Sequence, residues 1–180
     1  MNATSDIDLI NSCLTNSRQG QKLLYKRYYS YGMSITIRYS KDKDDAQWLL
    51  NQAFMKVFSN LGKFDTQKQF KPWLRRIIIN TVLSANEKVK DKHISIDDIE
   101  YSNEEEEDII SKLNYQQIID QIQQLTPSYR SVLNLYIVEG FKHHEIAEKL
   151  GISEGASKSN LFKAKQMLKK RLKNKLDIER

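Results

Sequence analysis

Two prolines in 180 residues, Pro72 and Pro127, and six glycines leave this chain few places to interrupt a helix. Proline removes a backbone donor, and glycine costs about 1 kcal/mol relative to alanine inside a helix, so their scarcity constrains the backbone directly. Sustained period-two alternation is scarce, and an all-α fold is expected. The clearest signal is Ala46, Leu49, Leu50, Ala53, Phe54, Val57, Phe58 and Leu61, spaced 3, 1, 3, 1, 3, 1 and 3. That stripe predicts a helix starting near Asp44 or Asp45 and closed by Gly62.

The flanking segments extend the pattern. Asp6 to Leu14 reads as a short helix with Ile7, Ile10, Cys13 and Leu14 inward. A helix from about Gln19 to Arg38 is too apolar, from Leu23 to Ile37, to be solvated all round. Phe70 to about Glu87 forms another, with Phe70, Trp73, Leu74, Ile77, Ile78 and Thr81 on its inner face. Pro72 sits near its first turn, where a missing donor costs little. These helices make a first small domain over residues 1–88.

Charge then divides the chain. Residues 1–88 carry 14 basic and 7 acidic side chains, residues 89–127 carry 3 and 10, and residues 128–180 carry 12 and 6. Two basic blocks flank an acidic one, a distribution suited to two polyanion-facing surfaces and a middle that avoids them. Residues 89–114, with four consecutive glutamates at 104–107, read as a flexible acidic linker. Asp97, Asp98 and Glu100 lie there without a buried scaffold and are not read as metal ligands.

A second domain spans residues 115–180. Ile118, Ile119, Ile122 and Leu125 line its first helix. Thr126 caps a second, with Pro127 at its first position. Val132, Leu133, Leu135, Tyr136 and Ile137 bury that helix, and Gly140 stops it. A third runs from about His143 to Leu150, Gly151 turns left-handed, Ile152 plugs the core and Ser153 caps a fourth. Ser157, Leu161, Ala164, Leu168 and Leu172 share the inner face of that fourth helix. The expected architecture is therefore two small helical domains, the second a four-helix helix-turn-helix domain.

Short helix, sharp turn and basic helix is the order that reads a DNA major groove. Ala156, Lys158, Ser159, Asn160 and Lys163 fit the exposed side of the reading helix. Asn160 suits adenine, and Lys158 and Lys163 suit guanine edges or phosphate. Lys165 and the lysines beyond it add backbone affinity. A helical bundle that docks a protein is the alternative for this segment. Upstream, Lys71, Trp73, Arg75, Arg76 and Asn80 share one helix, and an aromatic beside cations is either core packing or a platform for unpaired bases.

Catalysis finds no footing. No Ser/His/Asp order, Gly-rich phosphate loop, Cys pair or HExxH occurs. His143 and His144 are adjacent, point apart on a helix and read as surface or cap residues, and His93 lies in the linker. Neither metal nor cofactor is expected. Cys13 is alone, the first twenty residues are unlike a signal peptide, and no window holds eighteen consecutive apolar residues. A cytoplasmic protein without a membrane span is the simplest account.

Two motifs in one chain carry a resemblance. One is DDAQWLLNQAFMKVFSNLGKF followed by FKPWLRRIIINTVLSANEK; the other is IIDQIQQLTPSYRSVLNLYIVEGFKHHEIAEKLGISEGASKSNLFKAK. Together they resemble a sigma-70-family transcription initiation factor of the extracytoplasmic-function type, over about residues 5–88 and 115–172. The resemblance implies binding to core RNA polymerase and direction of it to promoters, with the −10 element recognised by the first domain as it opens and the −35 element read as duplex by the second. It implies polymerase docking through the helix from Asp45 to Leu61, with Asp45, Trp48, Leu49, Asn51, Gln52 and Met55 as contact residues. It implies −10 melting and capture through the loop Gly62 to Gln69 and the next helix, with Lys71, Trp73, Arg75, Arg76, Asn80 and Lys88 as contacts. An anti-sigma factor is a common partner in that family.

The chain departs from the family pattern in two places. DAQWLLNQAF, residues 45–54, puts neutral side chains where the family often has D-A-E-D-L-V-Q-E-x-F. GASKSN, residues 155–160, puts Ala156, Ser157 and Asn160 where G-T-V-K-S-R is common. Two other readings of the whole chain are a stand-alone helix-turn-helix regulator and a helical module that sequesters a partner.

Overall fold

The protein is described by a computed structural model covering residues 5–90 and 115–178. The expected acidic linker, with His93, Asp97, Asp98, Glu100 and the glutamate run, falls almost wholly outside the described residues. So does the side chain of Lys88. Among the described residues every regular element is helical, and the chain divides into two compact units, residues 1–85 and 86–180.

The first unit holds α1 (Asp6–Leu14), α2 (Arg18–Tyr39), α3 (Lys43–Asn60) and α4 (Phe70–Lys90) as far as Ala85. Each of the first three starts on a side-chain cap. Ser5 Oγ accepts the Asp8 amide at 3.1 Å while the Asp8 carboxylate accepts the Ser5 amide, a reciprocal capping box. Ser17 Oγ accepts the Gly20 amide at 3.1 Å, and Asp42 Oδ1 accepts the Asp45 amide at 2.8 Å. The Asp42 cap is why α3 starts at Lys43, ahead of the apolar stripe. It ends at Asn60 and passes into a 3-10 turn over Leu61–Lys63, which holds Gly62, the residue expected to close it, without a positive φ.

Ile10, Leu24, Ile35, Leu49, Leu50, Phe54, Leu74 and Ile78 are all essentially excluded from solvent and form the core where the four helices meet. Burying each such side chain contributes about 1.5–3 kcal/mol. Gly32 permits the close approach of α2 and α3, because a Cβ there would lie 2.4 Å from Leu50 Cδ1. The buried face of α1 departs from expectation: Leu9, Ile10 and Cys13 are buried, whereas Ile7 and Leu14 are exposed. Asp6 lies on the same side as that buried face. Its carboxylate accepts the Arg27 guanidinium at 2.8 Å and the Tyr28 hydroxyl, and Asp6, Ile10 and Cys13 lie on one face.

The second unit holds α5 (Tyr115–Gln123), α6 (Pro127–Leu133), α7 (His143–Leu150) and α8 (Glu154–Ile178). Ile119, Leu125, Val132, Leu135, Ile146, Leu150, Leu161 and Ala164 form its core. Thr126 caps α6 by accepting the Tyr129 amide, with Pro127 in the first turn, as expected. A π-helical turn, Asn134–Val138, then extends α6. It adds a residue to the turn, and Tyr136 and Ile137, which lie within it, are exposed rather than buried. Gly140 at φ 75° ends the segment.

Arg130 was not foreseen as a core residue. It is 4% exposed, and its Nη2 donates to the carbonyl oxygens of Gln123 at 2.6 Å and Leu125 at 2.8 Å. One guanidinium thereby satisfies the carbonyls that the end of α5 leaves open.

Candidate nucleic-acid and docking surfaces

The connection from α7 to α8 is three residues long. Gly151 adopts φ 61°, ψ 38°, a conformation that costs a side chain about 1 kcal/mol or more. Ser153 Oγ accepts the Ala156 amide at 3.0 Å and caps α8. Ile152 is only half-buried, less of a core plug than expected. On α8, Ser157, Leu161, Ala164 and Leu172 are buried and Leu168 is half-buried. Lys158 and Lys165 are exposed, and Ala156, Ser159, Asn160 and Lys163 are half-exposed. All six expected reading residues therefore reach solvent. Lys158 Nζ lies 2.8 Å from Glu154 one turn back, and that hydrogen bond and charge hold the Glu154 carboxyl below its ordinary value.

His143 is tied into α8 and is not a simple surface residue. Its Nδ1 is hydrogen-bonded to Ser157 Oγ at 3.0 Å, and its ring stacks on Tyr136 with centroids 4.7 Å apart and planes at 23°. Among the described residues no group of three or more His, Cys, Asp or Glu side chains gathers as a metal site. No described helix is long and apolar enough to cross a membrane.

In the first unit, Lys71, Arg76 and Asn80 are exposed along α4, and Arg75 is half-buried. Trp73 is half-buried in an aromatic cluster, with its centroid 5.2 Å from Phe64 and 5.6 Å from Phe70. It is a packing anchor with one accessible side, which joins the two readings its sequence left open. Beside it an open cavity of about 250 Å³ is lined by Asp6, Tyr28, Phe64, Gln69, Phe70 and Lys71, among others. Burial raises the Asp6 carboxyl, but hydrogen bonds from Tyr28 and Arg27 and the nearby cations outweigh it and leave the group below its ordinary value. For Tyr28, burial and the bond to Asp6 push the hydroxyl far above its ordinary value.

On α3, Trp48 is 53% and Met55 62% exposed, and Asn51 is exposed between them. Gln52 is half-exposed. Asp45 is half-buried, and its Oδ2 accepts the Lys41 amide at 3.0 Å, so this carboxylate is engaged at the helix start. Leu49, expected among the contact residues, is 1% exposed and packs into the core. Two residues absent from the sequence-based set, Tyr25 and Tyr29 of α2, hydrogen-bond across to α3 at Asn51 and Gln47.

Residues 24–90 match the family model described as Sigma-70 region 2, and residues 115–168 match Sigma-70, region 4. The chain is 30% identical over 131 residues to RNA polymerase sigma factor SigZ of Bacillus subtilis, an overlap of 73% of this chain and 74% of that one. The chain belongs to the sigma-70 family of RNA polymerase sigma factors. It is of the extracytoplasmic-function type, and over 150 residues it is 28% identical to the ECF RNA polymerase sigma factor SigM of Bacillus subtilis, covering 81% of this chain and 91% of that one. It is 26% identical over 180 residues to RNA polymerase sigma-H factor of Pseudomonas aeruginosa, with 93% of each covered. In fold this sigma factor is similar to the sigma factor RpoE solved in complex with the anti-sigma factor NepR from Bartonella quintana, at a TM-score of 0.51, 22% identity and coverage of 84% of this chain and 96% of that one. As a sigma factor it binds core RNA polymerase and directs promoter recognition.

Proposed function

We propose that the two units divide promoter recognition between them. α3 docks the first unit on core polymerase through Trp48, Asn51, Gln52 and Met55. α4 and the loop before it take the −10 element, with Lys71, Arg75, Arg76 and Asn80 along the strand and Lys88 continuing the basic series. The cavity lined by Asp6, Tyr28, Phe64, Phe70 and Lys71 suits an unpaired base set against an aromatic surface. In the second unit α7, its turn and α8 act as a helix-turn-helix, and Ala156, Lys158, Ser159, Asn160 and Lys163 face the −35 duplex, with Lys165 on phosphate.

The observation that carries this reading is the order of the two family matches, region 2 before region 4, each on a unit with exposed cations on one helix. A stand-alone duplex binder needs only the second unit and leaves the solvent-facing stripe of α3 and the cations of α4 without a task. The segment 89–114 serves as the acidic linker between the two readers, repelled by DNA through its own charge. The task places the protein in the cytoplasm with the polymerase. An anti-sigma factor is proposed as its regulator, in keeping with the fold it shares with an anti-sigma-bound relative.

The test is transcription in vitro with core polymerase over a library randomised at both promoter elements. Enrichment of paired −10 and −35 sequences is expected. A chain that neither co-purifies with core polymerase nor yields promoter-dependent transcripts is not acting as proposed.

A further inference from the structure

Between Asp45, whose carboxylate is engaged by the Lys41 amide, and Lys56 the solvent-facing stripe of α3 presents Trp48, Asn51, Gln52 and Met55 and no ionised side chain. The amides beside it are not loose. Tyr29 donates its hydroxyl to Gln47 Oε1. Gln47 Nε2 donates to the Tyr25 oxygen at 2.7 Å and to Asn51 Oδ1 at 3.1 Å. Tyr25 donates its own hydroxyl to Asn51 Oδ1 at 2.7 Å. The tyrosine rings are held in turn: Tyr25 meets Phe54 edge-on at 4.7 Å and Tyr29 at 5.7 Å.

This is a closed relay of neutral groups. Each hydroxyl proton is committed, so the amides have little reason to reorient for a charged partner. Their side-chain entropy is already lost in the free protein, which removes a cost that binding would otherwise carry. Trp48 and Met55 stand exposed on the same helix, next to Gln47 in the chain and one turn past Asn51. Tryptophan is among the side chains most often found as interface anchors, and methionine adapts to an irregular apolar partner.

We propose that Tyr25, Tyr29, Gln47 and Asn51 form a preorganised, uncharged platform that presents Trp48 and Met55 to an apolar, uncharged stretch of core polymerase. The inference rests on the assignment of α3 as the docking helix and adds the chemistry of the surface it meets. Trp48 and Met55 are the anchors; Tyr25 and Tyr29 are positioning residues. The contact behaves as an apolar interface, weakly sensitive to salt, because screening acts on charges and this stripe has none.

The experiment measures equilibrium binding of the full chain to purified core polymerase from the same source, at 50 and 500 mM NaCl. Wild-type affinity is expected to change by less than about threefold across that range, whereas a charge-steered contact changes by tenfold or more. The double variant W48A/M55A is expected to lose on the order of 100-fold in affinity with an unchanged melting temperature. Y25F keeps the ring and removes only the hydroxyl; it is expected to weaken binding about three- to tenfold without loss of fold. N51D puts a charge into the relay and is expected to make the affinity salt-dependent. A wild-type affinity that collapses with salt overturns the inference while leaving the docking assignment in place; a W48A/M55A variant that binds like wild type overturns it and removes Trp48 and Met55 from the docking residues. Absence of wild-type binding at both salt concentrations defeats the docking assignment itself.

Discussion

His143 of α7 and Ser157 of α8 are joined by a 3.0 Å hydrogen bond, and Ser157 is completely buried. The bond ties the first turn of one helix to the first turn of the next, beside the residues proposed to face DNA. Replacing His143 by alanine leaves the Ser157 hydroxyl without that partner. A loss of about 1–2 kcal/mol is expected for H143A, and a coupling of about 1 kcal/mol in the cycle with S157A. Denaturant unfolding of the four proteins checks both. Purely additive effects would show that the bond contributes nothing.

Arg130 makes the second unit dependent on one buried cation. R130A is expected to cost about 3 kcal/mol, because the carbonyls of Gln123 and Leu125 lose a shared donor. R130K is expected to recover only part of that, since an ammonium cannot reproduce the reach of the guanidinium fork. Thermal unfolding of the three proteins distinguishes a role for the fork from a role for charge alone.

The Asp6 carboxyl sits below its ordinary value, so the folded state binds its proton less readily than the unfolded chain does. Its contribution is therefore present above the ordinary aspartate range near pH 4 and disappears as pH falls through the lowered folded value. The pair is partly exposed, with side-chain accessibilities of 31% for Arg27 and 39% for Asp6, so about 1 kcal/mol or less is at stake. D6N is expected to be slightly less stable than wild type at pH 7 and indistinguishable from it near pH 2. Melting curves across that interval carry the test.

Asn160 and Lys165 separate base reading from charge. N160R is expected to change the preferred base at one −35 position, by about 1–3 kcal/mol of discrimination. K165A is expected to weaken binding about equally on all sequences and to lower the salt slope by about one unit. Selection from a randomised duplex library, repeated at two salt concentrations, reads both effects. An unchanged preference for N160R would remove Asn160 from the reading set.

Elements governed by local chemistry were legible in the sequence. α7 runs from His143 to Leu150, Gly151 is left-handed, and Thr126 and Pro127 start α6, as their residue types predict. What escaped depends on partners far along the chain. The buried face of α1 runs alongside Asp6, whose partners Arg27 and Tyr28 lie 21 and 22 positions away. Tyr136 and Ile137 look apolar enough for a core, but they lie within a π turn and are exposed. Arg130 reads as a surface cation until the open carbonyls at the end of α5 are seen to need a donor. On α3 the exposure of Trp48 follows from Leu49 and Leu50, which already fill the inner face. Tyr25 and Tyr29 were not legible, because their partners lie on another helix.

α8 runs without a break from Glu154 to Ile178, 25 residues, or about 37 Å at 1.5 Å per residue. In the seating proposed for α8 only its amino-terminal turns meet base edges, and most of the rod stands beyond them. Such a rod is a lever: a tilt of about 10° at the seated end sweeps the far end through about 5 Å. Whatever grips the carboxy-terminal turns thus holds a mechanical advantage over how deeply the amino-terminal turns sit.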